Sequence, residues 1–274
     1  MHKNNIQENE LRTMITAAKK AAKIVMKLYK KNIKTINNPD KLVTEADKES
    51  NKIIIKELRS GCPDYPILSE ESTDDLTRLD ARQIFIVDPL DGTDRFLNHS
   101  DDFAINIALV KNGRPIVGVI SLPARDIIIS ACKGLGTKKT VGTSESLLPL
   151  HTSSNNINDL HLSYSESSRK KSERFNNIIN SLPATNPHDP RGSVGYKMAQ
   201  IAMGEKDAYF RMGTKCSDWD VCAGDIVISE AGGKVTDFNG KELKYNSANT
   251  EKNDFLTSNR ATHRHLLRHI KSHL

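Results

Sequence analysis

One stretch constrains this chain more than any other: Ile84-Phe85-Ile86-Val87-Asp88-Pro89-Leu90-Asp91-Gly92-Thr93. Its first four residues are apolar and β-branched or aromatic, the composition of a buried strand. Proline cannot donate to a sheet ladder, so the strand is predicted to stop at Asp88-Pro89. Two carboxylates, Asp88 and Asp91, then fall on the turn that follows. Gly92 lets backbone approach a ligand closely, and Thr93 adds a hydroxyl. A strand that delivers carboxylates, a glycine and a hydroxyl to its carboxyl end has the makings of a metal and phosphate site.

With 274 residues the chain forms one large domain or two lobes sharing a core. The net charge of +6 and the pI near 9.0 favour anionic partners: phosphorylated metabolites, nucleic acid or a membrane surface. Much of that charge lies on helix faces (Lys19, Lys20, Lys23 and Lys27 on the first helix; Arg264, Arg268 and Lys271 on the last), where solvation is its ordinary fate. No basic and aromatic interleaving supports a nucleic-acid platform, so no nucleic-acid partner is expected. The apolar runs are too short for an integral membrane segment, and the polar N-terminus is neither a signal nor a transit peptide. Cys62, Cys132, Cys216 and Cys222 show no CxxC spacing, which argues against zinc and for reduced thiols in a cytoplasm. Oligomerisation and peripheral contact with the inner membrane face stay open.

Helical spacing predicts a first helix over about 9–31 and a second opening at Thr44-Glu45-Ala46-Asp47 and running to about Arg59. A short strand, Tyr65 to Leu68, ends in Ser69-Glu70-Glu71-Ser72. After Thr93 a loop to Asp102 is expected. Strands over Phe103–Val110, Pro115–Leu122 and Ile127–Ala131 then form an antiparallel sheet, the first two joined by a hairpin at Lys111-Asn112-Gly113-Arg114. Ser144 to Asn158 reads as a connector, which places an N-terminal α+β lobe over 1–150 and a C-terminal α/β lobe over 151–274. The second lobe is predicted to hold a strand over Leu160–Tyr164 and one helix over 167–181, ended by Pro183. A loop to Pro190, a helix after Gly192-Ser193, a strand over Asp207–Met212 and a helix from Ser217 to Ala231 follow. Gly192-Ser193 at a helix start is a potential anion site. His263, His265, His269 and His273 read as a solvated basic tail.

Each acid has a local explanation beside a chemical one. Asp47 completes a capping box with Thr44; Asp218 caps a helix, and Asp220 suits that helix's first turn. Glu70 and Glu71 are ordinary loop charges, or adjacent carboxylates whose repulsion a cation would relieve. Together with Asp88, Asp91 and Thr93 they form an oxygen-only donor set, which favours Mg²⁺ over Zn²⁺.

The chain resembles the lithium-sensitive, magnesium-dependent phosphatases of the inositol monophosphatase superfamily. The resemblance rests on Glu70-Glu71, Asp88-Pro89-Leu90-Asp91-Gly92-Thr93, and Trp219-Asp220 followed by Ala223-Gly224-Asp225 and Gly232-Gly233. It covers roughly residues 10 to 260 in the right order. Phe103 to Leu109, Gly192 to Lys197 and Cys216 to Asp220 look most like CysQ-type 3′(2′),5′-bisphosphate nucleotidases. The resemblance implies a layered α-β-α-β-α sandwich of two lobes, shared with fructose-1,6-bisphosphatase. It implies two or three Mg²⁺ ions held by Glu70, Asp88, the Leu90 carbonyl, Asp91 and Asp220. Asp47 and Thr93 would activate a water, with Glu71 positioning a further metal or its water. Gly92 and Thr93 would hold the scissile phosphate, and Ser193 and Lys197 would contact the nucleotide. The implied activity removes the 3′-phosphate of adenosine 3′,5′-bisphosphate, with its sulfated form as a second substrate, in sulfur assimilation or nucleotide recycling. Inositol monophosphate or another sugar phosphate is the alternative. The chain departs from that pattern at Asp94-Arg95, where relatives often carry lysine, and at about Glu166, where some carry histidine.

Overall fold

The computed structural model describes residues 2–29, 31, 35–36, 43–148, 160–182 and 190–274. Its centre is a seven-stranded sheet built from β3 (Ile67–Ser69), β4 (Gln83–Asp91), β5 (Ala104–Lys111), β6 (Arg114–Leu122), β7 (Ile127–Cys132), β8 (Thr137–Val141) and β9 (Ser144–Leu148), in that order. β3 and β4 run parallel and every later neighbour is antiparallel. A four-stranded sheet has the order β10 (Leu162–Tyr164), β11 (Ala208–Arg211), β13 (Phe255–Ser258), β12 (Lys234–Thr236). A small ribbon pairs β1 (Thr35–Ile36) with β2 (Val43–Thr44).

Helices fill the remaining layers. α1 (His2–Tyr29) and α2 (Glu45–Gly61) pack Met14, Ala21, Ile54 and Leu58 on the sheet face that carries Phe85, Val87, Ile105 and Ile107. The opposite face, with Ile84, Ile86, Ala108 and Ile120, meets α6 (Val194–Ala202) and α7 (Asp218–Glu230). Those two helices also cover Tyr209, Val235 and Phe255 of the second sheet. The far side of that sheet packs on α5 (Glu173–Ser181) and α8 (Arg260–Lys271). The layers therefore run α-β-α-β-α, as the resemblance implies. Strand β4 is buried on both faces, which is why it reads as a continuous apolar run rather than an alternation.

Several local expectations need correction. β4 does not stop at Asp88-Pro89; it continues to Asp91, with a register shift between Asp88 and Asp91. A bulge leaves Pro89 out of the ladder, so its missing N–H costs nothing there, and its carbonyl accepts from Ser50 Oγ at 2.7 Å. The loop after Gly92 contains α3 (Thr93–Leu97). The first residues of the expected connector form the edge strand β9. The expected helix over 167–181 is two: α4 (Glu166–Lys171) ends at Ser172, whose hydroxyl then caps α5 by accepting from Phe175 N at 3.1 Å. His263 is not part of a solvated tail. It is buried, bonded to Thr236 and Ser258, and burial drives its pKa down to about 4. The four cysteines are buried and free. The proposed boundary near residue 150, Pro183 and most of the loop to Pro190 lie outside the described residues.

Candidate metal and phosphate site

Three carboxylates from two distant parts of the chain meet at the end of β4. Asp88, Asp91 and Asp220 each present an oxygen within 4.8 Å of the others. Asp88 and Asp91 arrive on the bulged end of β4 and Asp220 on the first turn of α7. Ser217, not Asp218, caps α7, and the local and the chemical reading of Asp220 hold together. With Ser217 it closes a capping box, accepting from Ser217 N at 2.6 Å through Oδ2, and it also faces the cluster. Asp47 behaves alike. Its Oδ2 accepts from Thr44 N at 2.7 Å, while its Oδ1 accepts from Thr93 Oγ1 at 2.8 Å.

Asp91 is the most elaborately held. Gly195 N donates to it at 2.5 Å and Asn106 Nδ2 at 3.2 Å, with the Ser193 hydroxyl adding a third bond. The start of α6 was read as an anion site; the anion that its Gly195 N–H serves is this side chain. Glycine is required there, because a Cβ at Gly195 would fall 2.3 Å from Asn106 Oδ1. Gly195→Ala is therefore expected to destabilise the fold by about 1–3 kcal/mol through overpacking, read as a lower urea midpoint, and to weaken the hold on Asp91. Gly92 is constrained differently: its φ of +91° lies in the left-handed region, and a Cβ there would meet Ser193.

The electrostatics are those of a site that wants a cation. Burial first, then Glu70, Asp91 and Asp220, hold Asp88 well above the usual carboxylate range. Burial and Asp220 push Asp91 up to about 7; burial and Glu70 push Asp220 up to about 6. Asp88 Oδ1 accepts from Leu90 N at 3.0 Å, but its buried Oδ2 has no donor. A buried carboxylate with one oxygen lacking a donor, beside three further acids, is destabilised unless a positive charge joins it. The donors are all oxygens, which suits a hard divalent ion.

A cleft of about 490 Å³ opens above the carboxylates, lined by Glu70, Leu90, Gly92 and Thr93 as well as the three aspartates. Ser193 and Lys197 line it too, whereas Asp47 and Glu71 stand behind it; Asp47 reaches the cleft through Thr93. Lys197 is buried, donates to the Gly192 carbonyl at 2.6 Å, and is pushed down to about 8 by burial and by Arg95 and Arg211. Arg211, at the end of β11, lines the cleft and was missed from the sequence, where only its position at a strand terminus marked it. Lys170 and Ser165 were missed likewise. The two departures from the family pattern face each other: Arg95 lies 4.0 Å from Glu166, which Lys170 holds at 2.8 Å.

Fold and site together define a class: a layered α/β protein with a buried carboxylate cluster, able to hold a metal, beneath a cleft walled by cations. The Inositol monophosphatase family profile matches residues 7–274. The chain belongs to the inositol monophosphatase family, whose members are metal-dependent phosphatases. It is 31% identical to Nus factor SuhB of Xylella fastidiosa over 243 residues, covering 86% of this chain and 85% of that one. It is 32% identical to 3′(2′),5′-bisphosphate nucleotidase CysQ of Aggregatibacter actinomycetemcomitans over 242 residues, covering 86% and 87%. Among solved structures, the extragenic suppressor protein suhB of Bartonella henselae superposes with a TM-score of 0.79 at 27% identity, covering 96% of this chain and 98% of that one. Among the described residues no helix is long and apolar enough to cross a membrane.

Proposed function

We propose that this chain is a Mg²⁺-dependent phosphatase that removes the 3′-phosphate of adenosine 3′,5′-bisphosphate, giving AMP and phosphate. One observation carries the choice of substrate. Beyond the carboxylates the cleft is walled by Arg95, Lys170, Lys197 and Arg211. A monophosphate on a neutral polyol needs no such charge; a second phosphate does. The similarity to CysQ supports the same reading.

Glu70, Asp88, the Leu90 carbonyl, Asp91 and Asp220 would hold two or three Mg²⁺ ions. Bound there, Mg²⁺ supplies Lewis-acid neutralisation of the charge that develops on phosphoryl oxygens. The protein's own groups do the rest. The Thr93 hydroxyl donates its hydrogen bond to Asp47, so its oxygen is left as an acceptor facing the cleft that would orient the attacking water. Burial raises the Asp47 pKa, against the bonds from Thr44 and Thr93, which makes it a better proton acceptor through Thr93. Glu71 would help to position a further metal or its water. The Gly92-Thr93 turn would seat the scissile phosphate and Ser193 would touch the nucleotide. Lys197, with one of its three protons committed to Gly192, keeps two for the second phosphate.

Phosphate release from adenosine bisphosphate, its sulfated form and inositol monophosphate, with Mg²⁺, EDTA or Li⁺, tests this. The bisphosphate is expected to be the best substrate, with release abolished by EDTA and inhibited by Li⁺. Replacing Lys197 by Met should raise KM for the bisphosphate by roughly tenfold or more, the worth of one charge-assisted bond, and barely change inositol monophosphate turnover. Equal effects on both would favour the second reading, an inositol monophosphatase. The Glu166 carboxylate at the rim, an acceptor suited to hydroxyls, is what speaks for it. Substrate binding without release in Mg²⁺ would instead indicate a nucleotide binder.

A further inference from the structure

A polar chain anchored on two buried charged residues, Arg78 and Asp218, joins the two parts of the molecule that supply the carboxylates. Glu70 and Glu71 leave β3 in the segment that leads to β4; Asp220 enters on α7. Between the two lies Arg78, only 3% exposed. Its guanidinium donates to Asp74 from Nε at 3.0 Å and from Nη2 at 2.7 Å, to Asn246 Oδ1 at 2.6 Å and to the Ser247 carbonyl at 3.1 Å. Asn246 N in turn donates to Asp218 Oδ2 at 2.8 Å, and Lys252 pairs with Asp218 Oδ1 at 2.6 Å. Asp218 is wholly buried and stands two residues before Asp220. None of Asp74, Arg78, Asn246 and Asp218 lines the cleft, so none of them touches substrate.

Two residues of this bridge region hold a left-handed backbone, which asparagine adopts readily and leucine does not. Leu76 has φ +65° and Asn246 φ +60°. A leucine is held there only when its surroundings over-determine it; Asp74 Oδ1 accepts from Leu76 N at 3.0 Å while also holding Arg78. A buried guanidinium is also a poor choice for stability alone, since apolar packing of equal volume does as well. What it provides is fixed geometry: a planar fork serving three acceptors at once. Glu70 repels Asp88 and Asp220. Without a bridge that repulsion pushes the β3 loop and α7 apart.

We infer that Arg78 is a positioning residue that, through Asn246 and Asp218, holds the Glu70–Glu71 loop and the start of α7 at the spacing a metal needs. Its loss shows in metal affinity before it shows in the chemical step. This rests on the Mg²⁺ reading above.

Trp219, the only tryptophan, lies between Asp218 and Asp220 on the first turn of α7 and packs against the core, so its fluorescence follows the placement of that turn. Mg²⁺ is titrated into the metal-stripped full chain while Trp219 fluorescence is followed, and phosphate release is measured at saturating Mg²⁺. The variants are Arg78→Gln, Arg78→Lys and Asn246→Gly. The last keeps the left-handed backbone and the N–H to Asp218 while removing the acceptor for the Arg78 guanidinium and a 3.4 Å bond from Asn246 Nδ2 to the Arg78 carbonyl, and it leaves the buried arginine in place. Half-saturating Mg²⁺ is expected to rise about tenfold or more in Arg78→Gln and Asn246→Gly, and less in Arg78→Lys, with release at saturating Mg²⁺ within about threefold of the parent. Unchanged midpoints alongside a normal parent response overturn this inference alone, whatever happens to the melting temperature. A parent chain with no Mg²⁺ response overturns the metal reading and this inference with it.

Discussion

Asp88→Asn is expected to lower phosphate release by at least about 10³-fold, worth some 4 kcal/mol of barrier, while raising the melting temperature of the metal-free protein. The two effects have one cause. Asp88 sits at the centre of the acids, repelled by Glu70, Asp91 and Asp220 and with no donor for Oδ2. Asparagine keeps an oxygen for Leu90 N, places an amide donor where Oδ2 stood, and removes one buried charge. The repulsion that destabilises the metal-free fold falls, and the charge that would bind the metal disappears with it. Thermal unfolding in EDTA and a phosphate-release assay at saturating Mg²⁺ check both halves. A variant that turns over normally would remove Asp88 from the site; one that melts lower would show that the cluster is not under electrostatic strain.

Lowering the pH below 7 is expected to raise half-saturating Mg²⁺ by about tenfold per unit at first, and more steeply once a second acid protonates. In the metal-free protein Asp91 titrates near 7 and Asp220 near 6, both above the ordinary aspartate value. An acid raised in this way contributes stability that is fully present below about pH 4 and is lost as pH climbs through its folded value. The metal-free fold therefore loses stability from these groups between about pH 4 and pH 7, and Mg²⁺ should restore most at the upper end. His263 acts in the opposite sense: buried neutral at about 4, it contributes stability above its ordinary pKa that is lost as pH falls toward 4. The difference in melting temperature with and without Mg²⁺ cancels that contribution and isolates the carboxylates. It should widen steadily from pH 5 to pH 7.5; a constant difference would show that no proton competes with the metal.

The parts of the site that could be read from the chain are those whose cause is local. The apolar run at Ile84–Val87 marks a strand buried on both faces, whatever its neighbours. Thr44 with Asp47 announces a helix start through a capping box closed within three residues, and that box forms; the second box, Ser217 with Asp220, stands where only a first-turn acid was expected. Gly92 announces close approach of backbone to a ligand, and its backbone, at a left-handed φ of +91°, lines the cleft. Where local rules failed, a tertiary contact supplied the alternative. Pro89 was expected to end β4, but the bulge let the strand pass, with Ser50 from α2 taking the proline carbonyl. Ser172 broke a helix that apolar spacing alone would have continued, because its hydroxyl competes for backbone donors. Arg78, Lys170 and Arg211 carry no motif, so nothing in their neighbourhoods separated them from other surface cations.

The ligand chemistry is written locally in the chain: hard oxygen donors, a glycine turn, a hydroxyl and spare positive charge, each set by residue type and by spacing within one turn. It takes the packed fold to bring Asp220 to Asp88 and Asp91, to spend the Gly195 N–H at the start of α6 on Asp91, and to set Arg95 and Glu166 facing each other at the cleft. The reason is physical. These encounters are set by how α6 and α7 pack between two sheets, a balance of burial over many residues, and no short stretch of chain carries that balance.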